Sequence, residues 1–281
     1  KVIYANHSIK SAFDMALHDI VSQHVQLPLY KFLGGTINQT LETDFTVSLG
    51  ESNKMASDAV EIISNGFNIV KVKLGESKNK DVERIHHIRI AIGNRPLLRI
   101  DANQGWEADE AIDILKALTP YHIQFCEEPI ARWNYIRLPE IKAKSQIPVM
   151  ADESCCDIHD AQRLIELKAC DSVNVKLGKS GGLYNASKII SIVANANLKI
   201  QIGGFLESRL GFTAAAHLAL TNNQIQFIDF DTPLMFEEDY VSGGIHYTSG
   251  GKISVPDSAG LGAFVNEDIL TSLEKVVFSA Q

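Results

Sequence analysis

Three acids and three lysines recur at the ends of short β-rich runs. Asp101 stands in ArgIleAspAlaAsn (99–103), Glu127 in CysGluGluPro (126–129) and Asp152 in AlaAspGluSer (151–154). Lys71 and Lys73 end an earlier run, LysValLysLeuGly (71–75), and Asn174 and Lys176 end a later one. Residues i and i+2 of a strand point to the same side. Lys71/Lys73, Asp101/Asn103, Asn174/Lys176 and Asp229/Asp231 are therefore same-side polar pairs. Three adjacent carboxylates repel one another where water is scarce. A hard divalent cation relieves that repulsion. Mg²⁺ takes oxygen ligands octahedrally and keeps positions open for water or substrate, so Asp101, Glu127 and Asp152 read as its ligands. The alternative is that the acids are solvated or paired with the lysines.

The lysines need a reason to act as bases. A free lysine titrates near about 10.4, and a general base works best at about 7–8. Burial and a neighbouring cation both lower a lysine's pKa. Lys73 would feel Lys71 nearby and the metal across the site, and Lys176 would approach from the opposite side. Two bases on opposite faces of one carbon can remove a proton and return it to either face. That geometry fits racemisation or epimerisation next to a carboxylate, with the metal stabilising the enolate as a Lewis acid. Schiff-base chemistry on Lys73 or Lys176, as in barrel aldolases, is a reading of a different class, and a catalytically silent fragment is another.

Such side chains converge only if the strands that carry them lie side by side. From about residue 43, β-rich runs alternate with helix-length stretches. The runs are 45–49, 69–74, 97–101, 123–127, 149–152, 172–177, 199–202 and 226–229, and most start about 24–28 residues apart. Helical patterns cover 56–65, 81–92, 109–118 and 161–167. Eight β runs separated by helices predict a closed α/β barrel, whose strands all point their C-terminal ends at one mouth. An open doubly wound sheet is the runner-up, weakened because GxGxxG is absent after the first run. Ahead of the rhythm, Ile9, Ala12, Phe13, Ala16, Leu17, Ile20 and Val21 form one face of an amphipathic helix with Ser8 as N-cap. Residues 241–262 are rich in Gly and Ser and read as a β-hairpin tail.

Composition removes several classes. The chain has 281 residues with a formal charge of −8, the wrong sign for a nucleic-acid binder. No apolar run is long enough to span a membrane. Cys126, Cys155, Cys156 and Cys170 lack CxxC spacing and read as reduced thiols of a cytoplasmic protein. Gly178-Lys179-Ser180 is not a phosphate loop, because Val173 stands where that motif needs Gly. The histidines, including His86-His87, read as surface or packing residues. Trp106 either lines the mouth or packs near it.

The succession at 71–75, 99–103, 126–129, 151–154 and 174–182 (AsnValLysLeuGlyLysSerGlyGly) resembles the enolase superfamily. A Lys-x-Lys on the second strand with a lysine on the sixth resembles its muconate-lactonizing subgroup. AspPheAsp at 229–231 and residues 205–217 resemble the dipeptide epimerases within it.

The resemblance implies a modified (β/α)7β TIM-type barrel with an α+β capping domain. It implies Mg²⁺ on Asp101, Glu127 and Asp152, rather than on Glu128, and Lys73 and Lys176 as acid/base lysines. Asp229 and Asp231 would seat the ammonium of a dipeptide substrate, Lys71 would also meet substrate, and Asn103 and Asn174 would support the ligands. The expected reaction is 1,1-proton transfer at the α-carbon of the C-terminal residue, with L-Ala-D/L-Glu as the reference substrate class. o-Succinylbenzoate synthase and N-succinylamino-acid racemase chemistry are the alternatives on the same fold. Family members carry further cap residues ahead of the first helix. Residues 1–40 are therefore expected to be the remnant of a truncated cap, 41–235 the barrel, and 236–281 a segment returning to the cap. A homo-oligomer is also implied.

Overall fold

The computed structural model describes residues 4–276. Eight strands form one parallel sheet in sequential order. They are β1 (Phe45–Val47), β2 (Ile69–Lys73), β3 (Leu97–Asp101), β4 (Ile123–Glu127), β5 (Val149–Ala151), β6 (Ser172–Lys176), β7 (Lys199–Gly203) and β8 (Ile225–Ile228). A helix follows each of the first seven: Ser52–Ser64, Lys78–Ile92, Ala108–Leu118, Leu138–Lys144, Ile158–Glu166, Leu183–Asn195 and Arg209–Ala219. After β8 comes only a 3₁₀ turn, Thr232–Met235, so the barrel is (β/α)7β.

Strand alternation divides the core in two. Outward residues such as Val70, Val72, Leu98, Ile100, Val173, Val175, Ile200 and Ile202 are buried against the helices. Inward residues form a floor of Phe125, Met150 and Phe227, with the Arg99 guanidinium 5.4 and 5.2 Å from the two phenyl rings. Among the described residues no ladder joins β1 to β8. That seam is bridged instead by Asp44 N–H to the Ile228 carbonyl (3.4 Å), Phe230 N–H to Thr43 Oγ1 (2.7 Å) and Thr46 N–H to Asp231 Oδ2 (2.7 Å).

The tail is antiparallel, as its composition predicts. His246–Thr248 pairs with Lys252–Ser254, which pairs with Leu41–Glu42, and Val241–Gly243 pairs with Ala263–Val265. Residues 1–3 and 277–281 of the terminal segments lie outside the described residues. Among the described residues no helix is long and apolar enough to cross a membrane.

The expected first helix is present as His7–His24 and corrects one expectation. Ser8 is not its N-cap; Asn6 precedes the helix in a left-handed conformation, and Ser8 Oγ instead reaches the Gly178 carbonyl. The apolar face is not packed: Ile9, Phe13, Leu17 and Ile20 are 56–68% exposed. The helix buries Ser11 and Ser22 instead. Its small, polar side approaches the turn at Gly182, where a Cβ would lie 2.4 Å from Asp14 Oδ2, and Asp19 Oδ1 accepts the Leu261 N–H.

Candidate active site

Strand alternation and parallel register bring the polar pairs to one end of the barrel. Lys73 is level with Asp101, Asp101 with Glu127, and Lys176 with Gly203. Asp152 directly follows β5, and Asp229 directly follows β8. Around the mouth the order is therefore lysines, three acids, lysine, then the aspartate pair. A cavity of about 590 Å³ opens there, lined by Lys71, Lys73, Asn103, Lys176, Asp229 and Asp231 among others. Its upper wall is apolar and partly exposed, from Leu49, Phe205, Leu206 and Met235.

Asp101, Glu127 and Asp152 are completely buried, and each meets a lysine. Lys71 Nζ lies 2.7 Å from Asp229 Oδ2, 2.9 Å from Glu127 Oε2 and 3.3 Å from Asp101 Oδ2. Lys73 Nζ donates to Asp101 Oδ2 at 2.7 Å. Lys176 Nζ stands 2.6 Å from Asp152 Oδ2. Among the described residues, Asp44, Asp229 and Asp231 form a group of three carboxylates whose oxygens lie within 4.8 Å of one another.

These pairings set the electrostatics. Burial alone would lower the pKa of Lys176, but Asp152 and Glu127 outweigh it and raise it. Carboxylate charge facing the amine sets this direction. Lys71 is likewise held well above its ordinary value by Asp229, Glu127 and Asp101, against burial. Glu127, which burial would push up, is held well below the ordinary range by Lys71, Lys176 and Lys73. Asp231 is pushed up to about 6 by burial and the charge of Asp229, partly offset by the Thr46 N–H.

The supporting asparagines act differently from each other. Asn174 Nδ2 donates to Glu127 Oε1 at 2.8 Å. Gly203 leaves the room for it, since a Cβ there would lie 2.9 Å from Asn174 Oδ1. Asn103 supports Asp101 through its backbone, its N–H donating to Asp101 Oδ1 at 2.9 Å. Glu128 turns away from the mouth and accepts from the Asp152 N–H and from Ser154, bracing the loop that carries Asp152. Trp106 packs, with Nε1 donating to Asp81 Oδ2 at 2.9 Å.

Several residues escaped the motif reading. Lys179 is buried, and its Nζ lies 2.5 Å from Asp152 Oδ1 and 2.8 Å from the Asn174 carbonyl. It sits in a short helical turn after β6, where no periodicity marks it. Arg99 pairs with buried Asp44 at 2.7 Å, and Gln201 Nε2 donates to Glu127 Oε2 at 3.2 Å. Both lie two residues before a strand's last inward position, so strand alternation could have found them.

The donor set fits a hard divalent ion: three buried carboxylates from consecutive strands whose charge requires a counter-cation. Asp152 Oδ2 meets no aligned hydrogen-bond donor among the described residues, only the Lys176 ammonium.

A barrel with acids on strands three to five and lysines on strands two and six invites comparison with known proteins. The family profile described as Enolase C-terminal domain-like matches residues 54–269. The chain belongs to this family. A D-Ala-D/L-Ala epimerase from Cytophaga hutchinsonii is 57% identical over 275 residues, 98% of this chain and 75% of the relative. An L-Ala-D/L-Glu epimerase from Clostridium acetobutylicum is 40% identical over 262 residues, 92% of this chain and 73% of the relative. A solved structure, the Cytophaga hutchinsonii dipeptide epimerase complexed with Mg and D-Ala-L-Val, superposes with a TM-score of 0.96 at 57% identity, covering 98% of this chain and 74% of that one. The closed barrel predicted from the run spacing, and the enolase-type form that the resemblance implied, are thus the observed fold.

Proposed function

We propose that this enolase-family chain is a Mg²⁺-dependent dipeptide epimerase that inverts the α-carbon of the C-terminal residue. The observation that carries the reading is the order around the mouth: Lys73 and Lys176 bracket an arc of three buried acids, and Asp229 and Asp231 stand beyond it. The similarity to dipeptide epimerases, one solved with Mg and a dipeptide, supports it.

Asp101, Glu127 and Asp152 hold Mg²⁺, which when bound supplies Lewis-acid stabilisation of charge gathering on the substrate carboxylate. One of Lys73 and Lys176 then removes the α-proton as the free amine, and the other, as ammonium, delivers a proton to the opposite face. Asp229 and Asp231 seat the substrate's ammonium, two carboxylates around one cation. Lys71, pinned by three acids, balances charge beneath the seat.

The direct test incubates the protein with Mg²⁺ and L-Ala-L-X or D-Ala-L-X dipeptides in deuterated water. Deuterium at the C-terminal α-carbon together with the epimer is the expected result; absence of both refutes the assignment. A chain 31% identical to this one is an N-succinyl-L-Arg/Lys racemase, a name that implies an acylated α-nitrogen in place of a free α-ammonium. Asp231→Asn separates the two chemistries. It should raise KM for dipeptides about tenfold or more, since an unpaired charge is left facing the seat, while sparing any turnover of N-succinyl amino acids.

A further inference from the structure

Each of the three metal-facing acids has one oxygen already committed to a donor other than the mouth lysines. Asp101 Oδ1 accepts the Asn103 N–H at 2.9 Å, Glu127 Oε1 accepts Asn174 Nδ2 at 2.8 Å, and Asp152 Oδ1 pairs with Lys179 Nζ at 2.5 Å. The opposite oxygens, Asp101 Oδ2, Glu127 Oε2 and Asp152 Oδ2, are those facing Lys71, Lys73 and Lys176. Glu127 Oε2 also accepts Gln201 Nε2 at 3.2 Å, whereas among the described residues Asp101 Oδ2 and Asp152 Oδ2 face only the lysines, so one oxygen per acid is turned toward a cation that displaces them.

Lys179 differs from the other two tethers. Its side chain is buried, and its Nζ also contacts the backbone carbonyls of Asp152 and Asn174. It is fixed by the ends of two strands and does not line the substrate cavity. An ammonium locked onto Asp152 Oδ1 prevents that carboxylate from closing on a metal with both oxygens.

We propose that Lys179 is a specificity-determining positioning residue that restricts Asp152 to single-oxygen coordination and thereby selects Mg²⁺ over Ca²⁺. The inference rests on the metal reading given under Proposed function. Mg²⁺ demands near-octahedral geometry at short distances and accepts one oxygen per carboxylate. Ca²⁺ takes six to eight ligands, often using carboxylates through both oxygens. Three acids that would each offer one oxygen would suit a small six-coordinate ion better than a larger one.

The test measures Mg²⁺ and Ca²⁺ dissociation constants of the full chain by titration calorimetry, with no dipeptide present. In Lys179→Met the ratio of Ca²⁺ to Mg²⁺ affinity should rise about tenfold, the low end of effects from residues that orient metal ligands. Lys179→Arg, which keeps a charged donor, should hold the ratio nearer to that of the unmodified protein. If Lys179→Met shifts both affinities equally, Lys179 only balances charge and the proposal is overturned. A crystal of the unmodified protein soaked with Ca²⁺ provides a check that needs no variant. One Asp152 oxygen on the ion is expected, and two would overturn the proposal. If the unmodified protein binds neither ion, the metal site itself fails and this inference falls with it; an unchanged ratio with intact Mg²⁺ binding sinks only the role of Lys179.

Discussion

Lys73 and Lys176 reach the same arc of acids from strands four apart in order, and each is paired with the carboxylate nearest to it. If the two serve opposite faces of one carbon, replacing either should stop inversion without stopping all proton exchange. Lys73→Ala and Lys176→Ala should each lower epimerisation by about 10²–10⁴-fold, the range for a lost general acid or base. In deuterated water each should still label one epimer, and the two variants should label opposite ones, as read by proton NMR. Loss of labelling from both epimers in both variants would argue against two independent bases. The acids and lysines were legible in the sequence because strand alternation forces same-side pairs. Lys179 was not, because its role depends on a turn folding back over the neighbouring strand's end.

The loops that continue β2 and β3 lock together at two glycines. Gly75 has a φ of 111°, and a Cβ on Gly105 would lie 2.3 Å from the Gly75 carbonyl oxygen and 2.5 Å from its Cα. These are backbone contacts with no flexible side chain to yield. Gly105→Ala should therefore cost about 1–3 kcal/mol in urea unfolding. It should also weaken Mg²⁺ binding, since the same loops end the strands bearing Lys73 and Asp101. A second element, the helix Arg209–Ala219, is tied down by His217. Nδ1 of His217 accepts the Tyr30 N–H at 3.2 Å, so Nε2 carries the proton and donates to the Leu261 carbonyl at 3.1 Å. Burial lowers its pKa to about 4, against smaller opposing effects from the Leu261 bond, Asp19 and Asp257. The folded state thus prefers the neutral ring. Its contribution is complete above the unfolded value of about 6.5 and is lost as pH falls toward 4, in total about 3 kcal/mol. Urea midpoints should drop across that window, and more steeply than in His217→Gln, which cannot titrate.

For the molecule as a whole, the buried acids at the mouth make folding and metal binding one problem. Lysines now balance their charge, and a bound divalent ion would add stability by mass action, about 2.7 kcal/mol at a hundredfold excess over Kd. The unfolding temperature should rise by several degrees with Mg²⁺ and fall back with a chelator; no change on scanning calorimetry would contradict the metal site. The antiparallel tail is tied to the β8 side of the seam, where Tyr247 Oη donates to the Phe230 carbonyl at 2.6 Å.

The barrel and its eight strands follow from periodicity, because a strand's apolar alternation and a helix's stripe are local properties that survive in any context. The same holds for the acids and lysines, whose strand positions fix the side they face. Charge state and partner choice are not local. Whether Lys176 is depressed or elevated depends on what lies beside it, and here that is Asp152 at the end of the neighbouring strand. Which face of the first helix is covered depends equally on what packs against it. A long-range contact has no footprint in spacing, so the tether from Lys179 to Asp152 and the brace from Glu128 appear only once the chain is closed into a barrel.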